Sequence, residues 1–151
     1  MNEPVKPAIN EAKVIEKCES GGKATILIVD DEPNILKAIR FFLSDESNYI
    51  VVTAKSGNHA KKMIQEGLTP DVILTDIAMP DGTGLKLRDS IEQERPELIS
   101  RIIFMTANED GDLKEIIGKM VGKNRFLKKP FSVDQLIASI RYVLLELGFL
   151  K

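Results

Sequence analysis

At 151 residues the chain suits one domain with a sizeable core and is short for two. It is 43% apolar and 29% charged, and its 21 Lys plus Arg against 23 Asp plus Glu leave a net charge of −2, which argues against a general nucleic-acid binder with its basic stripe. The single cysteine, Cys18, cannot close an internal disulfide, no apolar run reaches membrane-spanning length, and Met1-Asn2-Glu3-Pro4 lacks a signal-peptide layout, so a cytoplasmic protein without membrane contact is expected.

Residues 1–22 read as a flexible tail or linker: Pro4 and Pro7 discourage early helix, Ile9, Ala12 and Ile15 give only a weak apolar spacing, and Gly21-Gly22 breaks the chain. Residues 23–151 are regular. Ala24-Thr25-Ile26-Leu27-Ile28-Val29 predicts a buried strand ending in Asp30-Asp31-Glu32, and Pro33 is placed to start a helix with Ile35, Leu36, Ile39, Phe42 and Leu43 on its apolar face. A second strand is expected over 49–54 and a helix over 56–66. Val72-Ile73-Leu74, introduced by Pro70-Asp71, has the unbroken branched apolar run of a strand buried on both faces, and Asp76 stands where it ends, before Met79-Pro80. Leu85, Leu87 and Ile91 mark a third helix that fades before Pro96; a fourth strand is expected over 99–105, ending at Thr106. Leu113, Ile116, Ile117 and Met120 mark a fourth helix, Arg125 to Lys128 a fifth strand closed by Lys129-Pro130-Phe131, and Leu136, Ile140, Val143, Leu144 and Leu147 a fifth helix. Five strands alternating with five helices imply right-handed crossovers and a parallel sheet covered on both faces.

A parallel sheet brings its strand ends to one edge, so Asp30, Asp31, Asp76, Thr106 and Lys129 should share it. Three carboxylates about 4 Å apart would repel by roughly 4 kcal/mol per pair at an effective dielectric of ~20, which invites a divalent cation or raised pKa values. All-oxygen donors without His or Cys favour Mg²⁺. Such a site can accept a phosphoryl group whose oxygens meet Mg²⁺, Lys129 and the Thr106 hydroxyl while an Asp76 oxygen attacks in line.

These residues, Val29-Asp30-Asp31-Glu32-Pro33, Asp76-Ile77-Ala78-Met79-Pro80 with Gly84, Thr106-Ala107 and Phe126-Leu127-Lys128-Lys129-Pro130-Phe131, make the chain resemble the receiver domain of bacterial two-component response regulators. The resemblance implies a flavodoxin-like, doubly wound five-stranded sheet of order 2-1-3-4-5 with five helices. It also implies a phosphoacceptor signalling domain in which Asp76 takes phosphate from a histidine kinase or phosphotransfer protein. Asp31, Asp76 and the Ala78 carbonyl would bind Mg²⁺ directly and Asp30 through water, with no chemistry beyond self-phosphorylation and self-dephosphorylation. Phe126 stands where the family places a switch aromatic that follows Thr106. The fourth helix, fifth strand and fifth helix would form the surface for a downstream partner or a second copy. The segment Lys119 to Arg125 departs from the usual small-residue step and looks more like receivers attached to hybrid sensor kinases. With no DNA-binding domain after Lys151, output through a partner or a larger protein is expected.

Two other classes compete. A haloacid-dehalogenase-like phosphatase also uses an Asp nucleophile and Mg²⁺, but carries a second Asp two positions later, where this chain has Ala78, and places its nucleophile on the first strand. An interaction module that is never phosphorylated would not need the complete set Asp30, Asp31, Asp76, Thr106 and Lys129. His59, beside Lys61 and Lys62 on the second helix, reads as a surface residue, and of the adjacent Lys128 and Lys129 pleating allows only one to face the site.

Overall fold

The computed structural model describes residues 23–44, 48–79, 81–107 and 125–148. Strand β1 (Ala24–Val29) leads into helix α1 (Pro33–Leu43), then β2 (Tyr49–Ala54), α2 (Gly57–Gln65), β3 (Val72–Asp76) and α3 (Gly84–Glu94). A 3-10 helix (Pro96–Arg101), β4 (Ile102–Thr106), β5 (Phe126–Lys128) and a last helix (Val133–Glu146) complete the described chain. The strands form one sheet of order β2-β1-β3-β4-β5, every neighbouring pair parallel. The order that the resemblance implies is therefore the order found. The predicted fourth helix around Leu113 to Met120 and the tail 1–22 lie outside the described residues.

Alternation along the strands divides the core in two. Ile26 and Ile28 of β1, with Leu74, Ile103 and Leu127, pack under α1 (Ile39, Leu43) and the last helix (Leu136, Ile140, Val143). Leu27 and Val29, with Ile73, Ile102 and Phe104, pack under α2 (Ala60, Ile64) and α3 (Leu87, Ile91). Each Leu or Ile so buried contributes about 1.5–3 kcal/mol relative to exposure, which explains why β1, β3 and β4 read as unbroken apolar runs.

The helix starts are chemically marked. Pro33 opens α1, where its missing N–H costs nothing. Ser56 and Thr83 accept the N–H groups of His59 and Lys86 at the starts of α2 and α3. Ser132 and Gln135 form a reciprocal capping box on the last helix.

Two of the boundary differences have a clear physical reason. Residues 99–101 are helical rather than extended, because Pro96 starts a 3-10 turn that Leu98 anchors in the core; β4 begins at Ile102. Arg125 precedes β5 rather than opening it, and its guanidinium pairs with Glu146 and lies over the Tyr142 ring.

Candidate functional site

Register decides which side chains meet at the carboxyl edge. Val29 pairs with Thr75, so Asp30 and Asp76 emerge side by side; Asp76 pairs with Met105 and Thr106 with Lys128, so Thr106 stands one step beyond and Lys129 two. The backbone continues this alignment past β5, where the Lys129 N–H donates to the Thr106 carbonyl at 2.8 Å.

Asp30, Asp31 and Asp76 each place a carboxylate oxygen within 4.8 Å of the others. Their environments differ. Asp30 is fully buried; its Oδ1 accepts the Glu32 N–H at 2.9 Å and its Oδ2 accepts from Lys129 Nζ at 2.6 Å. Asp31 is exposed, and Asp76 is buried but for a small opening. Lys129 Nζ also lies 3.5 Å from Asp76 Oδ2, so one ammonium is shared between two carboxylates. The neighbouring Lys128 is exposed, as the pleat requires.

Burial pushes the Asp76 carboxyl above its ordinary value; Lys129 opposes this, and the charges of Asp30 and Asp31 add to it. For Lys129, burial alone would lower the pKa, but the hydrogen bond and charge of Asp30, with help from Asp76, hold it above the ordinary lysine value. The site therefore contains a fixed ion pair, Asp30–Lys129, beside a third and fourth group, Asp76 and Asp31, whose charges it does not balance.

The backbone of Asp76 is equally constrained. Its carbonyl accepts the Thr75 hydroxyl at 3.0 Å, and the next residue, Ile77, donates its N–H to the Met105 carbonyl at 3.2 Å. Thr106 is buried at the end of β4, Ala78 is exposed in the loop after Asp76, and Phe126 is half-buried against the α2 and α3 side of the core. Asn108 lies outside the described residues. His59 is exposed, and its Nδ1 accepts the Lys55 N–H at 3.2 Å.

The contact that holds the loop after Asp76 is barely legible along the chain. Gly57 and Asn58 at the start of α2 bond to Gly82 and Asp81, a contact between segments 23 residues apart at the Asn58–Asp81 pair. The only local signal was the Ser56-Gly57 helix start.

The family model described as "Response regulator receiver domain" matches residues 26–141. The chain is 31% identical over 121 residues to response regulator Rre1 of Synechocystis sp., covering 80% of this chain and 51% of that protein. It is 31% identical over 119 residues to the alkaline phosphatase synthesis transcriptional regulatory protein PhoP of Bacillus subtilis, covering 79% and 48%. The chain thus spans about half the length of these relatives. Among solved structures, a response regulator receiver domain protein from Clostridium thermocellum superposes with a TM-score of 0.70 at 29% identity, covering 85% of this chain and 99% of that one. The beryllofluoride-activated NtrC4 receiver domain dimer superposes with a TM-score of 0.68 at 34% identity, covering 82% and 98%.

Proposed function

Because the chain belongs to the response regulator receiver domain family, a signalling domain of two-component systems, we propose that Asp76 is its phosphoacceptor. The observation that carries the reading is the shared ammonium: Lys129 lies within reach of both Asp30 and Asp76, on the edge where β3 delivers Asp76. In this reading an Asp76 oxygen forms a bond to the phosphorus of a phosphohistidine on a kinase or phosphotransfer protein. The phosphorus–nitrogen bond breaks, its electron pair returning to the imidazole. Lys129 and the Thr106 hydroxyl meet oxygens of the transferred group.

The donor set suits Mg²⁺. Three carboxylates lie close enough to share one small cation, all donors are oxygen, and the exposed Asp31 leaves a way in. Asp31, Asp76 and the Ala78 carbonyl would hold the ion, and Asp30, both of whose oxygens are engaged, would act through water. Bound Mg²⁺ supplies positive charge against the phosphoryl oxygens. Asp30 keeps Lys129 charged and oriented, and the buried walls around Asp76 strengthen every charge interaction there.

Neither competing class is favoured. The position two residues after Asp76 is the methyl side chain of Ala78, which offers no general acid, and the acidic cluster argues against a module without phosphoryl chemistry. We further read residues 1–22 as a tail or linker, residues 23–151 as the receiver, and the location as cytoplasmic. Separately, no helix among the described residues is long and apolar enough to cross a membrane. Thr106 and Phe126 form the switch in this reading, and the surface expected from the predicted fourth helix, β5 and the last helix takes a downstream partner or a second copy. The dimer of the similar NtrC4 receiver supports the latter.

Incubation with Mg²⁺ and acetyl phosphate followed by intact-mass measurement tests the assignment. Wild type should gain one phosphoryl mass and Asp76→Asn none. Equal labelling of the two would remove Asp76 from the role.

A further inference from the structure

The loop after Asp76 is held from two sides. Inside, Ile77 and Met79 are buried in the core beneath α2 and α3. Outside, the Asp81-Gly82 turn lies against the first residues of α2. The Gly57 N–H donates to the Gly82 carbonyl at 3.1 Å, the Asn58 N–H to the Asp81 carbonyl at 3.4 Å, and Asn58 Nδ2 to Asp81 Oδ1 at 2.7 Å. The approach leaves no room for a side chain. A Cβ on Gly57 would fall 2.8 Å from the Gly82 carbonyl carbon, and one on Gly82, where φ is +85°, would fall 2.8 Å from the Asn58 nitrogen.

Only Thr83 separates this clamp from a second close contact. A Cβ on Gly84 would lie 3.2 Å from the Asp76 carbonyl carbon, and the Gly84 N–H donates to the Ile77 carbonyl at 3.0 Å. One short segment therefore touches the start of α2 through Gly82 and the backbone of Asp76 through Gly84. Interiors packed this closely transmit strain rather than absorb it.

We propose that Gly57 and Asn58 are positioning residues for the reaction at Asp76: by clamping Asp81 and Gly82 from the start of α2, they fix the loop that sets the Asp76 carboxylate and the Ala78 carbonyl. The proposal rests on the phosphoacceptor reading above. Neither residue touches a reacting atom. Their influence is on geometry, where a misplacement of about 1 Å costs up to ~10²-fold in rate. Asn58 and Asp81 are both exposed, so their bond adds little to global stability, and a change in reactivity without a change in melting temperature separates positioning from folding.

The test exchanges the pair. Asn58→Asp sets two carboxylates against each other; Asn58→Asp combined with Asp81→Asn restores an amide–carboxylate bond with donor and acceptor exchanged, at the net charge of wild type. Intact mass over time, with acetyl phosphate and a Mg²⁺ series, gives the labelling rate and the half-saturating Mg²⁺, and thermal melts are run alongside. The single variant should be labelled roughly tenfold more slowly, or need several-fold more Mg²⁺, and the exchanged pair should recover most of the loss. Gly57→Ala should show the same defect where it folds. If wild type takes no label on Asp76, the phosphoacceptor reading itself fails. If wild type is labelled and Asn58→Asp keeps pace with it, or the exchanged pair is no better than the single variant, the clamp is refuted while that reading stands.

Discussion

Replacing Asp76 and Asp30 by Asn, one at a time, should change stability in opposite directions, although both residues belong to one acidic cluster. Two unit charges 4.8 Å apart, the spread of the cluster, repel by about 3.5 kcal/mol at an effective dielectric of ~20. Asp76 feels two such repulsions, from Asp30 and Asp31, and one attraction of about 5 kcal/mol from Lys129 at 3.5 Å. Lys129, which also hydrogen-bonds Asp76, offsets them, the more so because Asp31 is exposed and screened, so burial of the carboxylate, which costs about 1–3 kcal/mol for an imperfectly compensated group, is what leaves its charge unfavourable. Asp76→Asn should therefore stabilise the metal-free protein by about 1–2 kcal/mol, a rise of several degrees in Tm for a domain of this size. Asp30 is different, because its two oxygens satisfy the Glu32 N–H and Lys129. Asn offers one acceptor for two donors, so Asp30→Asn should cost about 1–3 kcal/mol.

Urea melts in EDTA at several pH values check both the sign and the origin. The raised pKa of Asp76 means that the folded state binds this proton more tightly than the unfolded state does. Stability then falls as pH rises from the ordinary carboxylate value of 3.8 through the raised one. Asn lacks this penalty, so the advantage of Asp76→Asn should be complete above the raised pKa and vanish below 3.8. An Asp76→Asn protein no more stable than wild type at neutral pH in EDTA, or an advantage that persists unchanged in acid, would refute the electrostatic account. Mg²⁺ at ten times its Kd should stabilise wild type by about 1.4 kcal/mol and the Asn variant by less.

Lys129→Ala should keep the fold but slow acetyl phosphate labelling of Asp76 by at least about tenfold, since an interaction of Lys with transferring phosphoryl oxygens is lost; a labelling time course decides it. Substitutions at Ala78 and Asn108, two residues past Asp76 and Thr106, should change the decay rate of the phosphorylated protein more than its Tm; identical decay across a series at both positions removes them from control of hydrolysis. Beryllofluoride with Mg²⁺ should shift NMR signals of Phe126 and the last helix together with those around Asp76, and shifts confined to the Asp76 loops would exclude Phe126 as a switch.

The residues that were legible in the sequence are those whose neighbours along the chain decide their fate. Apolar runs set β1 and β2 at the expected limits, and parallel pairing then obliged Asp30, Asp76, Thr106 and Lys129 to share an edge. Less legible was anything set by contacts across the fold. Ile99 resembles the start of a strand, yet Pro96 and the burial of Leu98 commit it to a 3-10 turn. Asp71 reads as a turn residue beside Pro70, but it is buried and its Oδ2 accepts the Thr25 N–H at 2.7 Å. Asp30 and Asp31 are indistinguishable in composition; Lys129, 99 residues from Asp30, makes one the buried half of an ion pair and leaves the other in solvent.

That division between the two aspartates bears on how the domain can switch. A cluster in which every charge was balanced would gain little from a cation or a phosphoryl group, and a ligand without differential affinity shifts no equilibrium. Here Lys129 is committed to Asp30 and only shared with Asp76, so the buried reactive carboxylate keeps an uncompensated cost of burial that holds its pKa above the ordinary value. Phosphorylation replaces the single charge of Asp76 with a phosphoryl group of about −2, and the contacts that offset this added charge, from Lys129 and a bound cation, are available to one conformation more than another wherever the loop geometry differs. A bias of a few kcal/mol is what a two-state element needs to move from mostly one form to mostly the other. The buried charge that weakens the resting fold thus sits where the added phosphoryl charge acts, and the stability gained by Asp76→Asn measures the cost of holding that carboxylate there.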